Sequence, residues 1–318
     1  MNFGLIGPGR IAEKFALAVK EVPGVRIVAV ASHHLEKAQH FADKFEIDQA
    51  YGDYAELLAD PEVDAVYVAV INEFHFDVVK QSLLAKKAVL CEKPLTPSLE
   101  ETQALLLLAK QQKVLLMEGM WTLFLPAIHQ AAAWLQNDRI GQVKFINCNF
   151  SYFAEVDPES RLFSKKQGGG ALLDIGVYCV AFLLEMIGER PKQIKSLLFD
   201  GQTAVDEMGT VIFRFPNGTI ANCNFGFQAH MNQDAHIYGS RGSIFVKHFS
   251  ASRRVELYDV NDNLIDFFDD PQENGFAYEI QHFASSWDNH ETQDSLMPHF
   301  KSLALSEIMQ HIKENGEG

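Results

Sequence analysis

In the stretch VLCEKPLTPS, residues 89–98, an apolar run stops abruptly on Glu92, Lys93 and Pro94. An acid and a base resist burial unless they are paired or put to use. A lysine held at a strand end can donate a proton, or supply the positive charge that favours the anionic form of a nearby hydroxyl. The plain alternative is a lysine snorkelling to solvent. Farther along, GGGALLDIGVYCVAFLLEMIG, residues 168–188, sets Asp174 and Tyr178 four apart. A helix there places both on one face, among residues suited to burial. A carboxylate so placed needs a partner, and Lys93 is the obvious one. A tyrosine hydroxyl beside that ammonium suits general acid/base work on an alcohol or carbonyl; a satisfied core tyrosine and a helix-capping aspartate are the structural alternative.

A third motif points to a nucleotide. GPGRIA, Gly7 to Ala12, fits the GxGxxA pattern: Gly7 for a tight turn, Gly9 for close approach of a diphosphate, Ala12 for helix–strand packing, and a helix N-terminus for N–H donors. Arg10 and Ile11, which open that helix, are expected beside the cofactor. Where the next strand ends, NAD-specific proteins place an acid to read the ribose; this chain has Ser32, His33 and His34. With no acid to repel a 2′-phosphate, the expected cofactor is NADP, with NAD possible. Ligands of open α/β sheets bind outside the carboxyl ends of strands, so Asn72, His75, Glu92 and Lys93 join the expected cofactor contacts.

The elements needed to position these residues follow from periodicity. FGLIG, VRIVAVAS, DAVYVAV (64–70), 88–91 and 114–117 read as strands. Segments 10–21, 35–45, 76–85 and 98–112 read as helices, with a turn around Gly52. Such alternation specifies a doubly wound parallel sheet. The second half differs. After a helix over 127–136 come strands at 143–153, 209–215, 219–227, 235–238, 243–248, 254–260 and 264–268, with Pro216-Asn217-Gly218 as a hairpin turn. They read as an antiparallel meander, followed by helices near 277–288 and 302–314. The expected fold class is α/β, a Rossmann domain over 1–119 and an α+β domain over 120–318.

GPGRIA, the triplet Glu92-Lys93-Pro94, EGMWTLFLP (118–126) and GGGALLDIGVY (168–178), in this order and spacing, resemble the Gfo/Idh/MocA family of NAD(P)-dependent oxidoreductases, and within it the dimeric dihydrodiol dehydrogenase branch. The resemblance spans essentially the whole chain. It implies an N-terminal Rossmann domain and a C-terminal open sheet that often serves as a subunit interface. The family's triplet lysine falls on Lys93, and the acid and catalytic tyrosine of its DxGxY segment fall on Asp174 and Tyr178. Leu123 stands where that branch commonly has arginine, and VIN (70–72) where relatives often read TPN. Both departures bear on the substrate more than on the reaction.

Trp121, Phe153 and Arg161 are candidate substrate contacts, with Phe124 and Phe163 as further aromatics for pocket or core; a solvated loop arginine is the plain reading of Arg161. The reaction expected is hydride transfer between nicotinamide and a carbon bearing a hydroxyl or carbonyl on a sugar, cyclic polyol or vicinal diol. Two alternatives are a non-catalytic nucleotide-binding regulator and a redox-neutral enzyme with tightly bound NAD.

Composition narrows the partners. A formal charge of −15 over 318 residues, with no dense basic run, opposes nucleic acid. With no apolar run of about 18 residues and no leader-like N-terminus, no membrane partner and a cytoplasmic location are expected. Cys91, Cys148, Cys179 and Cys223 are widely spaced without CxxC, hence expected as reduced core thiols. The histidines show no ligand spacing, so no metal is expected. An open sheet with one face uncovered by helices needs a partner, so a homodimer or higher homo-oligomer is expected.

Overall fold

The computed structural model describes residues 1–316. It divides into two compact units, Met1–Trp121 with Asn274–Ser306, and Thr122–Glu273 with Glu307–Gly318. The segment 274–306 clusters with the first unit although it follows the second in the chain.

The first unit is built on β1 (Asn2–Ile6), β2 (Arg26–Ala31), β3 (Gln49–Tyr51), β4 (Ala65–Val68), β5 (Ala88–Glu92) and β6 (Leu116–Gly119). All pair in parallel in the order β3-β2-β1-β4-β5-β6. The order reverses beside β1, which creates the switch point where open sheets of this kind take ligands. Connections run through α1 (Arg10–Val19), α2 (Leu35–Phe45), α3 (Tyr54–Ala59), α4 (His75–Leu84) and α5 (Leu99–Gln112). Every residue of β4 and β5 is buried, as expected for strands covered on both faces. Ser98 caps α5 by accepting from the Glu101 N–H at 3.3 Å, and Asp53 caps α3 through the Ala55 N–H at 2.9 Å. The short β3 and α3 stand where only a turn was expected. Helix α8 (Phe276–Asp288) closes this unit, with Phe283 lying 5.5 Å from Phe3 between ring centroids.

The second unit holds α6 (Pro126–Gln136), β7 (Val143–Ser151), α7 (Val177–Ile187), and strands β8 (Gln193–Asp200), β9 (Asp206–Arg214), β10 (Ile220–Gly226), β11 (Ala235–Gly239), β12 (Gly242–Lys247), β13 (Arg254–Asp259) and β14 (Leu264–Asp269). The sheet order is β14-β13-β12-β11-β7-β10-β9-β8. This corrects the simple meander: β7 sits between β11 and β10, and β7 and β10 run parallel, residue against residue from Phe145↔Ile220 to Ser151↔Gly226. The turn residues fix which hairpins form but carry no information on the long-range insertion of β7. Strand β8 was not expected either. Its Leu197 and Phe199 are exposed, so its apolar residues do not mark a buried face.

One face of this sheet carries Ile146, Cys148, Ala221, Cys223 and Phe225 into a core with α7. The other leaves Phe145, Leu197, Phe199 and Ile212 each at least half exposed.

Two further expectations need adjusting. The helical stretch Lys165–Ile187 is long and apolar enough to cross a membrane, with mean hydropathy 1.9 in its best window, but 78% of that window is buried inside the fold. The C-terminal ENGEG, residues 314–318, reads from its composition as a frayed end; α9 (His299–Asn315) carries the first two of those residues in the helix, and the last two lie outside the described residues.

Candidate active site

In the first unit, β1 delivers the chain into the glycine turn. Gly7 has φ 95°, its N–H donates to the Ala31 carbonyl at 3.1 Å, and a Cβ there would sit 2.8 Å from the Ala69 carbonyl oxygen. No other residue fits that turn. Gly9 is different: an added Cβ would meet nothing within 4 Å, so packing inside the chain does not demand glycine there. Open space lies before the N-terminus of α1, which no side chain caps. Uncapped first-turn N–H groups and an unobstructed backbone are what a dinucleotide's diphosphate requires, so these residues fit the cofactor. Arg10 is exposed and Ile11 half-buried on that first turn, and Ala12 is buried against the sheet.

Beyond β2, Ser32 is buried and its Oγ accepts from the His34 N–H at 3.2 Å, which starts α2. Its O–H is still able to donate. His33 is exposed, its ring tilted against the Tyr54 ring with centroids 4.2 Å apart.

The Glu-Lys-Pro triplet ends β5. Glu92 is buried, its Oε1 accepting from the Tyr67 hydroxyl at 2.5 Å and its Oε2 from the Lys93 backbone N–H at 3.3 Å. Tyr67 in turn stacks on Phe15 with ring centroids 3.7 Å apart. The Lys93–Pro94 peptide is cis, and the next N–H, Leu95, donates to Glu118 Oε1 at 2.9 Å. The acid therefore faces inward as an anchor, and the partly buried lysine follows it at the carboxyl edge of the sheet.

Asn72, half-buried, opens a single 3-10 turn after β4. His75, expected as a cofactor contact, is fully buried with Nδ1 2.9 Å from the Pro94 carbonyl and Nε2 3.1 Å from the Val70 carbonyl. Both ring nitrogens are engaged by backbone, so its part is to tie the Pro94 turn to the end of β4. Burial holds its pKa below the ordinary histidine value, against the pull of those carbonyls.

Two further acids lie in this unit. Burial pushes Glu118 up to about 7, with the Ser302 hydroxyl, the Leu95 N–H and the Lys93 charge pulling the other way. Its Oε2 has no partner. Glu279 of α8 is wholly buried with neither oxygen partnered, and burial, reinforced by Glu92 and Asp294, holds it well above the carboxylate range. A carboxyl so placed is neutral. Trp121, a candidate substrate contact, stacks on Phe276 at 4.9 Å.

In the second unit the triple glycine lets the chain pass close to a neighbour. Gly170 has φ 120° and its Cβ position is filled by the Asp206 carboxylate, which accepts from the Leu172 N–H at 2.5 Å. Residues Leu172–Gly176 form a π-helical turn that leads into α7, a wider turn than the simple α-helix expected. Asp174 lies on it, mostly buried, accepting from Arg161 at 2.9 Å through Oδ1 and from the Tyr152 hydroxyl at 3.1 Å through Oδ2. Arg161, expected near substrate or cofactor, thus pairs with Asp174. Tyr178 is nearly buried on the first turn of α7, 5.6 Å from the Phe150 ring. Phe153 is two-thirds exposed, while Phe163 and Phe124 are core residues.

Sequence reasoning missed Tyr67, Glu118 and Tyr152. A signal existed for the first, a lone phenol within the otherwise aliphatic and β-branched DAVYVAV.

A glycine turn into an uncapped helix at the switch point of a parallel sheet, with a lysine following an anchored glutamate at the same sheet's carboxyl edge, defines the class: an NAD(P)-binding oxidoreductase with a Rossmann unit. Residues 1–120 match the oxidoreductase family with NAD-binding Rossmann fold, and residues 128–245 match the GFO/IDH/MocA C-terminal domain. The chain belongs to the Gfo/Idh/MocA family. It is similar to the trans-1,2-dihydrobenzene-1,2-diol dehydrogenase of Danio rerio, 39% identical over 77% of this chain and 74% of that protein, and to that of Mus musculus, 33% identical over 76% and 73%. Among solved structures it is similar to a 3-ketoreductase from Actinomadura kijaniata crystallised with NADP and TDP-benzene, with TM-score 0.91 and 25% identity over 100% of this chain and 98% of that one.

Proposed function

We propose that this chain is a dehydrogenase or reductase acting on a CH–OH group of a vicinal diol, cyclic polyol or sugar, with NADP preferred over NAD. A bound nicotinamide would supply the hydride-transfer chemistry at the carbon that bears the oxygen. In oxidation Tyr178 takes the hydroxyl proton and in reduction returns it. Lys93 supplies the positive charge that favours the ionised oxygen. Asp174, tied to Arg161 and Tyr152, orients the start of the helix that carries Tyr178. Gly7, Gly9, Arg10, Ile11, Asn72 and the anchored Glu92 serve the nucleotide, with Ser32 and His33 as readers of a 2′-phosphate.

The observation that carries this reading is Glu92 fixed by Tyr67, which leaves Lys93 to emerge at the sheet edge where such sheets take ligands. The similarity to diol dehydrogenases favours a diol among the substrates. A cytoplasmic setting suits the four free thiols, and a homodimer through the open sheet suits its exposed Leu197, Phe199 and Ile212.

The test is a fluorescence titration of nucleotide-free protein with NADPH and with NADH, followed by absorbance assays over a panel of diols, polyols and sugars. Saturable binding with NADPH the tighter, and turnover of at least one diol or sugar, is expected. Binding of neither nucleotide would remove the basis of the reading.

A further inference from the structure

We infer that Cys148, Cys179 and Cys223 form a three-sulfur binding site for a trivalent thiophilic metalloid of the arsenite class. The three lie 31 and 44 residues apart in sequence, on three separate elements. Strands β7 and β10 run parallel with Cys148 directly opposite Cys223, both on the inward face, and α7 brings Cys179 to the same place. All three sulfurs lie within 4.8 Å of one another, and Cys148 Sγ is 3.4 Å from Cys223 Sγ. All are free thiols, and each is at most 1% exposed.

The spacing suits one small ion. Bonds of about 2.3 Å, the zinc–thiolate value, put the sulfurs of a three-coordinate centre ~3.4–4.0 Å apart for bond angles of ~95–120°. Structural zinc wants four ligands, and among the described residues no fourth His, Cys, Asp or Glu joins this group.

Burial then selects the charge. Ile146, Ala221 and Phe225, which share the inward face with these cysteines, are buried and apolar, so a charged complex would be costly here. Three thiolates around a monovalent ion leave two negative charges, and around a divalent ion one. Around a trivalent centre they leave none. The exchange balances without redox: arsenous acid loses three As–O bonds and gains three As–S bonds, and each thiol proton leaves with a hydroxide as water. Entry requires α7 to part transiently from the sheet, so binding is slow.

The experiment incubates the full chain with sodium arsenite, removes free arsenite by desalting, and reads arsenic per chain by elemental mass spectrometry and the arsenic shell by X-ray absorption. One arsenic per chain with three sulfur neighbours and no oxygen is expected. Cys148→Ala, Cys179→Ala and Cys223→Ala should each weaken retention at least ~10-fold, a loss of ~1.4 kcal/mol, while Cys91→Ala retains it. Negligible arsenic on the folded wild type, oxygen in the arsenic shell, or loss in Cys91→Ala would overturn the site. Zinc or monovalent copper bound in preference to arsenite would overturn the charge argument. Should an alanine variant not fold, the wild-type absorption spectrum decides alone.

Discussion

The Tyr67 hydroxyl donates to Glu92 across 2.5 Å, joining two adjacent parallel strands through a buried bond beside Lys93. Removing the donor takes one hydrogen bond from a buried carboxylate, which costs about 1–3 kcal/mol. Tyr67→Phe should therefore lower the urea midpoint. If the bond also sets where Lys93 emerges, kcat falls with nucleotide affinity little changed. An unchanged midpoint would show that Glu92 needs no such anchor.

Glu118 should make stability fall as pH rises from about 4.5 to about 7. Its folded pKa, about 7, stands above the ordinary carboxyl value of 4.5. The native state then holds a proton that the unfolded chain has released between those values, so the contribution is complete below about 4.5 and lost as pH climbs through about 7. Asp206, raised to about 6 by burial, has the same sign. The lowered His75 opposes them, since its unfolded form binds the extra proton and its penalty fades as pH rises through the ordinary histidine value. Urea midpoints of wild type and Glu118→Gln from pH 5 to 8 isolate one group. The difference should grow in favour of the variant with rising pH, by an amount on the order of 3 kcal/mol at most; parallel curves would refute it.

Helices such as α2 were legible in full, Leu35 to Phe45, because one apolar stripe and one period specify them. The parallel β7–β10 pairing was not. Register between strands whose paired residues lie 75 apart is set by which faces find burial together, and the hairpin signals nearby are silent on it. The same limit hid the site's partners. Lys93, Glu92 and Tyr178 announce themselves by residue type, whereas the Arg161–Asp174 and Tyr67–Glu92 bonds and the three-cysteine group arise from chain-distant elements meeting.

Lys93→Met and Tyr178→Phe should each cut kcat by about 100-fold or more, as loss of an acid/base group does, with NADPH affinity near wild type. Circular dichroism must show both folded. Near-normal turnover in both variants would remove the catalytic assignment and leave the residues structural.

Arg161 separates positioning from stability. Its ion pair with Asp174 joins a half-exposed guanidinium to a mostly buried carboxylate, and a pair open to solvent on one side contributes only about 0–1 kcal/mol to folding. Arg161→Gln should then leave the melting temperature almost unmoved. With that ion pair removed, the turn carrying Tyr178 loosens, and kcat should drop more than KM rises. Lysine at 161 should restore part of the loss; a change in KM alone would point to substrate contact instead.

The open face of the second sheet is where an assembly is to be tested. Phe199 pairs in register with Met208, Leu197 with Thr210, and Lys195 with Ile212, so apolar side chains of β8 and β9 lie side by side on the uncovered face. Toward the centre that face changes character. Thr210 donates to Asn224 at 2.8 Å and Asn224 to Asn149 at 2.8 Å, a polar ladder across three strands that a partner sheet must meet with polar groups of its own. An apolar margin around a satisfied polar ladder suits a self-complementary contact related by two-fold symmetry. Leu197→Glu and Phe199→Glu place like charges at that margin without touching the buried face. Sedimentation velocity at micromolar concentration should show a dimer for wild type and a monomer for the double variant, with little loss of melting temperature beyond that of dissociation. A wild-type monomer, or an unchanged double-variant dimer, would move the interface elsewhere.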